Sequence, residues 1–504
     1  MPSPHSAPQP PSSTPSPASA QDRPQTLITP ERVERLNELR AEAWKLQNPL
    51  TQLQVLEAAT REFAKANYAQ HPAALQQIMQ TLDYIFENSN SVSARFTVPQ
   101  RIEQLLAASP CVFSMYPGLG THESLSQYDL VLAGRYSKVN SRREIDLSST
   151  LTRSPNSKIS IPLCVAKMRA TIGGELAELM IEEGLIPILH RFKRPLNPSD
   201  VDTLSPTVQS QADADAEKLA WVGKFGEKAY FSCGNRADSV EFAKQLIQRG
   251  AAGIFIDVAI GNSEATCATA LALKEFIEQG GYSTQLLAGN VDTAEGYFML
   301  ALCGVDAIAV GIGPGSPCTT RIVTRSGSGQ GSALLEVGTA RFMMGSNAPT
   351  IIADGGIEGS GDLLFVLAAG ANAAMVGKLA ARTEESGALK RVMAGKDGKE
   401  ALHAWYFGEA SQWARLYEQG GVQKGMGVEG KGGWIPVSGG FRDLLQEMHG
   451  GLVNALPYYN AASIPELQGK FSPPQQLCDL ILGGKTGMNK SASGTSLESN
   501  TRLS

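Results

Sequence analysis

The segment Gly311-Ile312-Gly313-Pro314-Gly315-Ser316-Pro317-Cys318-Thr319-Thr320-Arg321 sets a thiol on a loop whose glycines and prolines hold an unusual backbone. Ser316 has a hydroxyl to donate to a phosphate, and Cys318 has polar neighbours and an arginine three residues on. A lone cysteine in an α/β protein is usually buried filler. This placement favours a nucleophile instead. A second loop, Ala353-Asp354-Gly355-Gly356-Ile357, pairs a carboxylate with two glycines. Asp354 suits ribose hydroxyls, and the Gly355 and Gly356 amides are free for phosphate; the plain alternative is that Asp354 only caps a helix. Gly377-Lys378 completes a phosphate cup. A third glycine-rich stretch runs from Gly408 to Gly440 and carries Glu429 between Val428 and Gly430. So much glycine in one connection predicts a mobile lid. Composition alone leaves Glu429 equally a proton relay or a surface charge.

These loops need a scaffold that brings them to one end. Apolar runs recur at Ile161–Met168, Leu185–Phe192, Ala229–Cys233, Gly253–Ala259, Gln285–Val291, Ala307–Gly313, Thr350–Gly355 and Ala373–Leu379, each followed by a stretch of helical pattern. Eight buried strands alternating with helices predict an α/β fold, a (β/α)8 TIM barrel, over residues 126–470. In that fold the chemistry sits beyond the strands' C-terminal ends, where Asp257, Asn290, the Gly313–Cys318 loop, Asp354 and Gly377 fall. A doubly wound open sheet is disfavoured by the eight units and by the lack of a GxGxxG after the first strand. Residues 29–125 read as a helical extension, with Thr29-Pro30-Glu31 as a start and Leu75, Ile78, Met79, Leu82, Ile85 and Phe86 on one face. The Pro/Ser-rich residues 1–28 and the tail 471–504 are expected to be largely disordered.

Composition narrows the function. The chain has 504 residues, 18% charged, with a formal charge of −5 and no basic block, which argues against a nucleic-acid partner. No long apolar run offers a membrane span. Seven cysteines stand singly with no C-x-x-C pair, and the six histidines lack zinc spacing. A reducing compartment, the cytoplasm, is expected rather than a disulfide framework or a zinc site. The first residues lack the charged and apolar pattern of a secretory signal.

The motif GIGPGSPCTTR, with IPLCVAKM, IDVAIGNS, LLAGNV and IIADGGIEGSGDLLFVLAAGANAAMVGKLAA, resembles the IMP dehydrogenase/GMP reductase family over about residues 127–470. SRREIDL and the lid EASQWARLYEQGGVQKGMGVEGK are more similar to the reductase. The adjacent Arg-Tyr pair of the dehydrogenase flap is missing, because Arg415 and Tyr417 are not neighbours. The segment from Lys193 to Lys228 is too short for the dehydrogenase's paired regulatory modules. The resemblance implies NADPH-dependent reductive deamination of GMP to IMP and ammonia. Cys318 would form a covalent thioimidate, and Thr320 with Glu429 would relay the proton that releases ammonia. It implies Ser316, Gly356 and Gly377 at the phosphate, with Lys378 beside them, and Asp354 at the ribose. Asp257, Val258 and Ala259 would line the nicotinamide side. Carbonyls of Gly313, Gly315 and Cys318 would hold a monovalent cation such as K+, and a homo-oligomer, by resemblance a tetramer, is expected. The run His190-Arg191-Phe192-Lys193-Arg194 either meets the NADPH 2′-phosphate or is a solvated loop.

Departures from the family pattern gather around the purine. Glu409 stands where the family has Met, Ala410 where it has Ser, and Lys167-Met168-Arg169 where it has Asn-Met-Asp. Met426 and Val428 replace an Arg and a Ser of the reductase lid, and Lys378 replaces a small residue. A carboxylate at Glu409 is expected to meet the N–H edge of guanine, with Gly430 also near the substrate. Oxidation of IMP to XMP with NAD, and a nucleotide-binding regulatory protein without turnover, are the alternatives.

Overall fold

The computed structural model describes residues 125–132, 134–344, 348–394, 399–420, 427–471 and 480–482. The expected disordered N-terminal segment 1–28 and all of the expected helical extension except Leu125 lie outside these residues.

Eight parallel strands, nearly closed into a barrel with helices around it, form a (β/α)8 TIM barrel. They are β1 (Leu163–Val165), β2 (Ile188–Leu189), β3 (Tyr230–Cys233), β4 (Gly253–Asp257), β5 (Gln285–Val291), β6 (Ala307–Val310), β7 (Thr350–Asp354) and β8 (Ala373–Val376). The ladder runs β2-β3-β4-β5-β6-β7-β8-β1. Each strand falls inside one of the eight apolar runs, and β5 coincides with its run. The others are shorter for local reasons. Gly311 (φ +140°) and Gly313 (φ +85°) leave the β region and end β6; Gly355 (φ +88°) ends β7. Pro187 offers β2 no N–H, so that strand starts late.

The barrel helices surround the strands, three of them opened by a capping hydroxyl. They are α1 (Gly174–Glu182), α2 (Gln211–Phe225), α3 (Ala237–Gln248), α4 (Glu264–Gln279), α5 (Ala294–Leu302), α6 (Gln330–Met344) and α7 (Ser360–Ala368). Ser210, Ser263 and Thr293 accept from the N–H groups of Asp213, Thr266 and Gly296, satisfying donors that the first turn leaves open. The strands are buried on both faces and share one hydrophobic core with the inner faces of the helices.

The stretch 408–440, read as a glycine-rich lid, contributes one strand and one helix to a small sheet that begins before it. β9 (Lys390–Ala394), β10 (Glu400–Phe407) and β11 (Gly432–Pro436) make an antiparallel sheet, and α8 (Gln412–Gln419) crosses it. Trp405 lies 5.4 Å from Trp413 and 5.2 Å from Trp434, ring centre to ring centre, in a second hydrophobic cluster with Phe407 and Tyr417. Gly432, one of the glycines read as flexibility, serves packing here. A Cβ on Gly432 would lie 2.7 Å from Phe407 Cβ and 2.8 Å from Trp413 Cδ1. This second cluster also takes in Ala170, Val201, Ala381 and Ala388, so the described part of the stretch packs on residues outside it. α9 (Phe441–Ala455) and α10 (Ile464–Phe471) close the ring.

Leu480–Leu482, within the tail expected to be largely disordered, pairs antiparallel with Leu130–Leu132, and the rest of that tail after Phe471 lies outside the described residues. Two runs of leucine and β-branched residues meet there. Among the described residues no helix is long and apolar enough to cross a membrane.

Candidate active site

The Gly311–Arg321 loop leaves β6 and curls at the barrel's C-terminal face. Cys318 N–H donates to the Gly315 carbonyl (2.9 Å), which closes a turn around Ser316 and Pro317. The Arg321 guanidinium donates to the carbonyl oxygens of Ile312 (2.8 Å) and Ser328. It staples the loop, and a Cβ on Gly313 would strike its side chain. The half-buried Cys318 Sγ lies 3.2 Å from Thr320 Oγ1, and Thr320 Oγ1 donates to Glu429 Oε2 at 2.9 Å. Residues 109 positions apart are thus joined in one thiol–hydroxyl–carboxylate chain.

Backbone contacts seat Glu429 there. Thr319 N–H donates to the Glu429 carbonyl (2.8 Å), Lys431 N–H to that of Pro317 (2.8 Å) and Glu429 N–H to that of Ala410 (3.1 Å). Gly430 is the crossing point, bridged to Cys318 on one side and Ser411 on the other. A Cβ on it would lie 3.0 Å from Ser411 N and 3.3 Å from the Pro317 carbonyl. Val428 is beside this crossing; Met426 lies outside the described residues.

Ser316, Gly356 and Gly377 gather next to this chain. The Gly356 carbonyl accepts from Gln127 and Tyr128, which holds the Gly355-Gly356 turn (φ +88° and +80°) with the Gly356 N–H unpaired among the described residues. Gly355 packs on Gly315, so the loops after β6 and β7 meet. Tyr406, on β10, was not singled out in the sequence. Its hydroxyl lies near Ser316, and a Cβ on Gly377 would come within 2.9 Å of it. Burial pushes this phenol up to about 12, so it stays a neutral donor. Lys378 is exposed at the rim and forms no ion pair among the described residues.

Asp354 and Asp257, expected at the ribose and on the nicotinamide side, are joined by a lysine. Lys167 Nζ lies 3.1 Å from Asp354 Oδ2 and 3.3 Å from Asp257 Oδ1. Asn290 Nδ2 donates to the same Asp354 Oδ2 at 2.8 Å. Burial alone would lower the lysine's pKa, but the two carboxylates outweigh it and raise it, so Lys167 is an ammonium. Past Asp257, Val258 is half-buried, while Ala259 and Ile260 are exposed and form an apolar ledge.

The basic run beside that ledge is not one solvated loop. His190 is buried and held well below the ordinary histidine range by burial and by the charges of Lys218 and Arg169. Arg194 pairs with Glu217, and Lys193 Nζ donates to the Glu418 carbonyl. Arg191 is left at the surface, stacked on Phe192 (4.4 Å) and reaching the Asp257 carbonyl (3.4 Å). Carbonyl donors of the kind K+ takes are present on the Gly313–Cys318 turn. Among the described residues no cluster of His, Cys, Asp and Glu could hold a metal ion.

Glu409 is placed differently from the expectation of an open contact to the base. Both its oxygens face Arg169. Oε1 accepts from Arg169 N–H (2.8 Å), and Oε2 from Nε (2.9 Å) and Nη2 (2.7 Å). Two departures that looked independent in sequence are one ion pair.

The IMP dehydrogenase/GMP reductase domain model matches residues 124–476. An inosine-5′-monophosphate dehydrogenase of Borreliella burgdorferi is 30% identical over 390 residues, which are 70% of this chain and 94% of the relative. A GMP reductase of Helicobacter pylori is 32% identical over 322 residues, 64% of this chain and 86% of the relative. A GMP reductase of Lactococcus lactis is 30% identical over 341 residues, 67% of this chain and 91% of the relative.

Proposed function

Because the chain belongs to the IMP dehydrogenase/GMP reductase family, an oxidoreductase family acting on purine nucleotides, we propose that it catalyses reductive deamination of GMP to IMP and ammonia with NADPH. The observation that carries this reading is the Cys318–Thr320–Glu429 chain, in which one hydroxyl touches both the sulfur and a carboxylate. Cys318 adds to the purine carbon bearing the exocyclic amine as its thiol proton passes through Thr320 to Glu429. Thr320 passes a proton from Glu429 to that amine, which leaves as ammonia, and a thioimidate remains on the sulfur. Asp257, Val258 and Ala259 would hold NADPH, which when bound would supply a hydride to the same carbon. Cys318 then departs with the electron pair of the C–S bond, and IMP is released.

The phosphate is taken by Ser316, the Gly356 amide, Gly377 and the Tyr406 hydroxyl, with Lys378 adding a cation at the rim. Asp354 accepts from the ribose. Asp257, Val258 and Ala259 line the nicotinamide side, and Arg191 is the cation placed for a 2′-phosphate. Gly313, Gly315 and Cys318 offer carbonyls to K+. The purine is met by the backbone around Glu409 and Gly430. The cytoplasm is the compartment and a homo-oligomer the working form.

Oxidation of IMP is favoured by the similarity to the Borreliella burgdorferi dehydrogenase. Against it, the lid's arginine and tyrosine are both committed elsewhere. Arg415 donates to the Gly427 carbonyl (2.7 Å), and Tyr417 is buried with its hydroxyl between Trp405 Nε1 (2.9 Å) and the Val201 carbonyl (2.7 Å). Purified protein with GMP and NADPH, followed for both cofactor oxidation and ammonia, separates the readings. Equal release of NADP+ and ammonia is expected. XMP formation from IMP and NAD without ammonia release from GMP would reverse the assignment, and tight GMP binding with neither reaction would make it a binding protein.

The lid crossing supplies a further test. Gly430→Val is expected to lower kcat/KM by about 100-fold, because the new side chain pushes Glu429 off Thr320 by roughly an ångström. Steady-state kinetics and a melting curve check this; an unchanged kcat/KM with an unchanged melting point would mean that the crossing does not position Glu429.

A further inference from the structure

Lys167 is a buried cation that the proposed reaction does not use. It projects from the end of β1 into the floor of the site, and its side chain is 6% exposed. Its ammonium has three protons and finds three acceptors: Asp354 Oδ2 at 3.1 Å, Asp257 Oδ1 at 3.3 Å and the Met375 sulfur at 3.8 Å. The ring of Phe255 lies under it at 4.5 Å. With every proton engaged and its pKa raised, it cannot serve as a general base. What it does is geometric. Asp354 Oδ2 already accepts from Asn290 Nδ2, so with Lys167 that oxygen has two donors and its lone pairs are filled. Asp354 Oδ1 has no partner among the described residues, and the side chain keeps 19% exposure. One oxygen is locked into the barrel wall, and the other remains as an acceptor.

We infer that Lys167 is a positioning residue for sugar recognition: by holding Asp354 Oδ2 against the barrel wall it leaves Oδ1 as the acceptor that reads a ribose hydroxyl and selects ribonucleotides over deoxynucleotides. This rests on the reading of Asp354 as the ribose carboxylate. Without the ammonium, Asp354 and Asp257 repel each other across a span that Lys167 now bridges. Asp354 then has only Asn290 to set its rotamer, and a carboxylate that samples several orientations discriminates poorly between a sugar with a hydroxyl and one without.

The experiment measures dissociation constants by calorimetry, with no cofactor present, for GMP, 2′-deoxy-GMP and 3′-deoxy-GMP. The wild-type protein is expected to bind GMP about 10- to 100-fold more tightly than at least one of the deoxy nucleotides, the scale of one hydrogen bond to a charged group. In Lys167→Met that ratio is expected to fall to within about threefold of one. Because Lys167→Met leaves two partly buried carboxylates unneutralised and can fail to fold, the same ratio is measured in Lys167→Met/Asp257→Asn, which restores the local charge to that of the wild type while still lacking the ammonium. Collapse of the ratio in the double variant supports the inference. A ratio kept at its wild-type value in the double variant overturns it, since Asn290 alone would then hold Asp354. A wild type that does not discriminate at all overturns the ribose reading itself, which is a different and separately recognisable failure.

Discussion

Cys318→Ser is expected to lose turnover of GMP with NADPH by about four orders of magnitude or more, the scale seen when a nucleophile is removed from an enzyme that works through a covalent intermediate. Serine fits the turn, because the Cys318 N–H bond to Gly315 is a backbone contact and the side chain is only half buried. The loss is therefore chemical rather than structural: a hydroxyl is a poorer nucleophile than a thiol and a poorer leaving group in the second half of the reaction. IMP binding by calorimetry is expected to change by less than about threefold, since the phosphate and ribose contacts are elsewhere. Retained turnover would remove Cys318 from the chemistry.

The partner variant divides the reaction. In Glu429→Gln the hydrogen bond to Thr320 Oγ1 survives in a neutral form, but the proton source for the departing amine is gone. Reductive deamination should fall by about 100- to 10,000-fold, the usual worth of a positioned general acid. The hydride step involves no ammonia and should be nearly unaffected, so Glu429→Gln mixed with IMP and NADP+ should still form the Cys318 adduct. Mass spectrometry of the intact protein reads that adduct. Equal loss of both halves would mean that Glu429 shapes the site rather than carrying a proton.

How much of the fold and the site is legible in the sequence depends on sequence distance. The eight strands were legible because a buried parallel strand is an uninterrupted apolar run, and each run is bounded by residues that must leave the sheet, such as Gly311 and Gly355. The lid sheet was not. β11 opens with Gly432-Gly433, which reads as a loop, and only the approach of Phe407 and Trp413 explains why glycine is required at 432. Tyr406 was passed over because Trp405-Tyr406-Phe407 reads as core; the signal was a hydroxyl two residues ahead of the lid's first glycine. The departures at Lys167, Arg169 and Glu409 were each visible as charges in odd places. Their meaning was not, because Arg169 and Glu409 are 240 positions apart and one sequence contains no record of which charges face each other. The basic run at His190–Arg194 resolves residue by residue for the same reason: Glu217 and Glu418, which take up Arg194 and Lys193, come from two other helices.

Arg169→Met is expected to destabilise the protein by about 2–4 kcal/mol, with most of the loss recovered when Glu409→Met is added. Arg169 is 1% exposed, and its guanidinium reaches two parts of the lid. Nε and Nη2 hold Glu409 ahead of α8, and Nη1 reaches Glu418 within α8 (3.3 Å) and the Lys193 carbonyl (3.1 Å). Phe192, Phe407 and Tyr417 surround it at 4.8, 5.6 and 5.6 Å. Removing the arginine alone strands Glu409 against those rings with no counter-charge. The figure sits at the lower side of the range for breaking a buried pair because Glu409 and Glu418 keep 17% and 29% exposure and can recruit water. Replacing both partners by methionine exchanges an ion pair for apolar contact in an aromatic cage, a change that is often neutral. It also restores the methionine that the family resemblance places at position 409. Urea unfolding of the wild type, both single variants and the double variant closes the cycle. A coupling of about 2 kcal/mol or more identifies the pair as the latch that joins the lid to the barrel, and additive losses would show that each residue acts alone. If the double variant also binds GMP as the wild type does, the charges at 169 and 409 belong to lid attachment and the base is read by backbone.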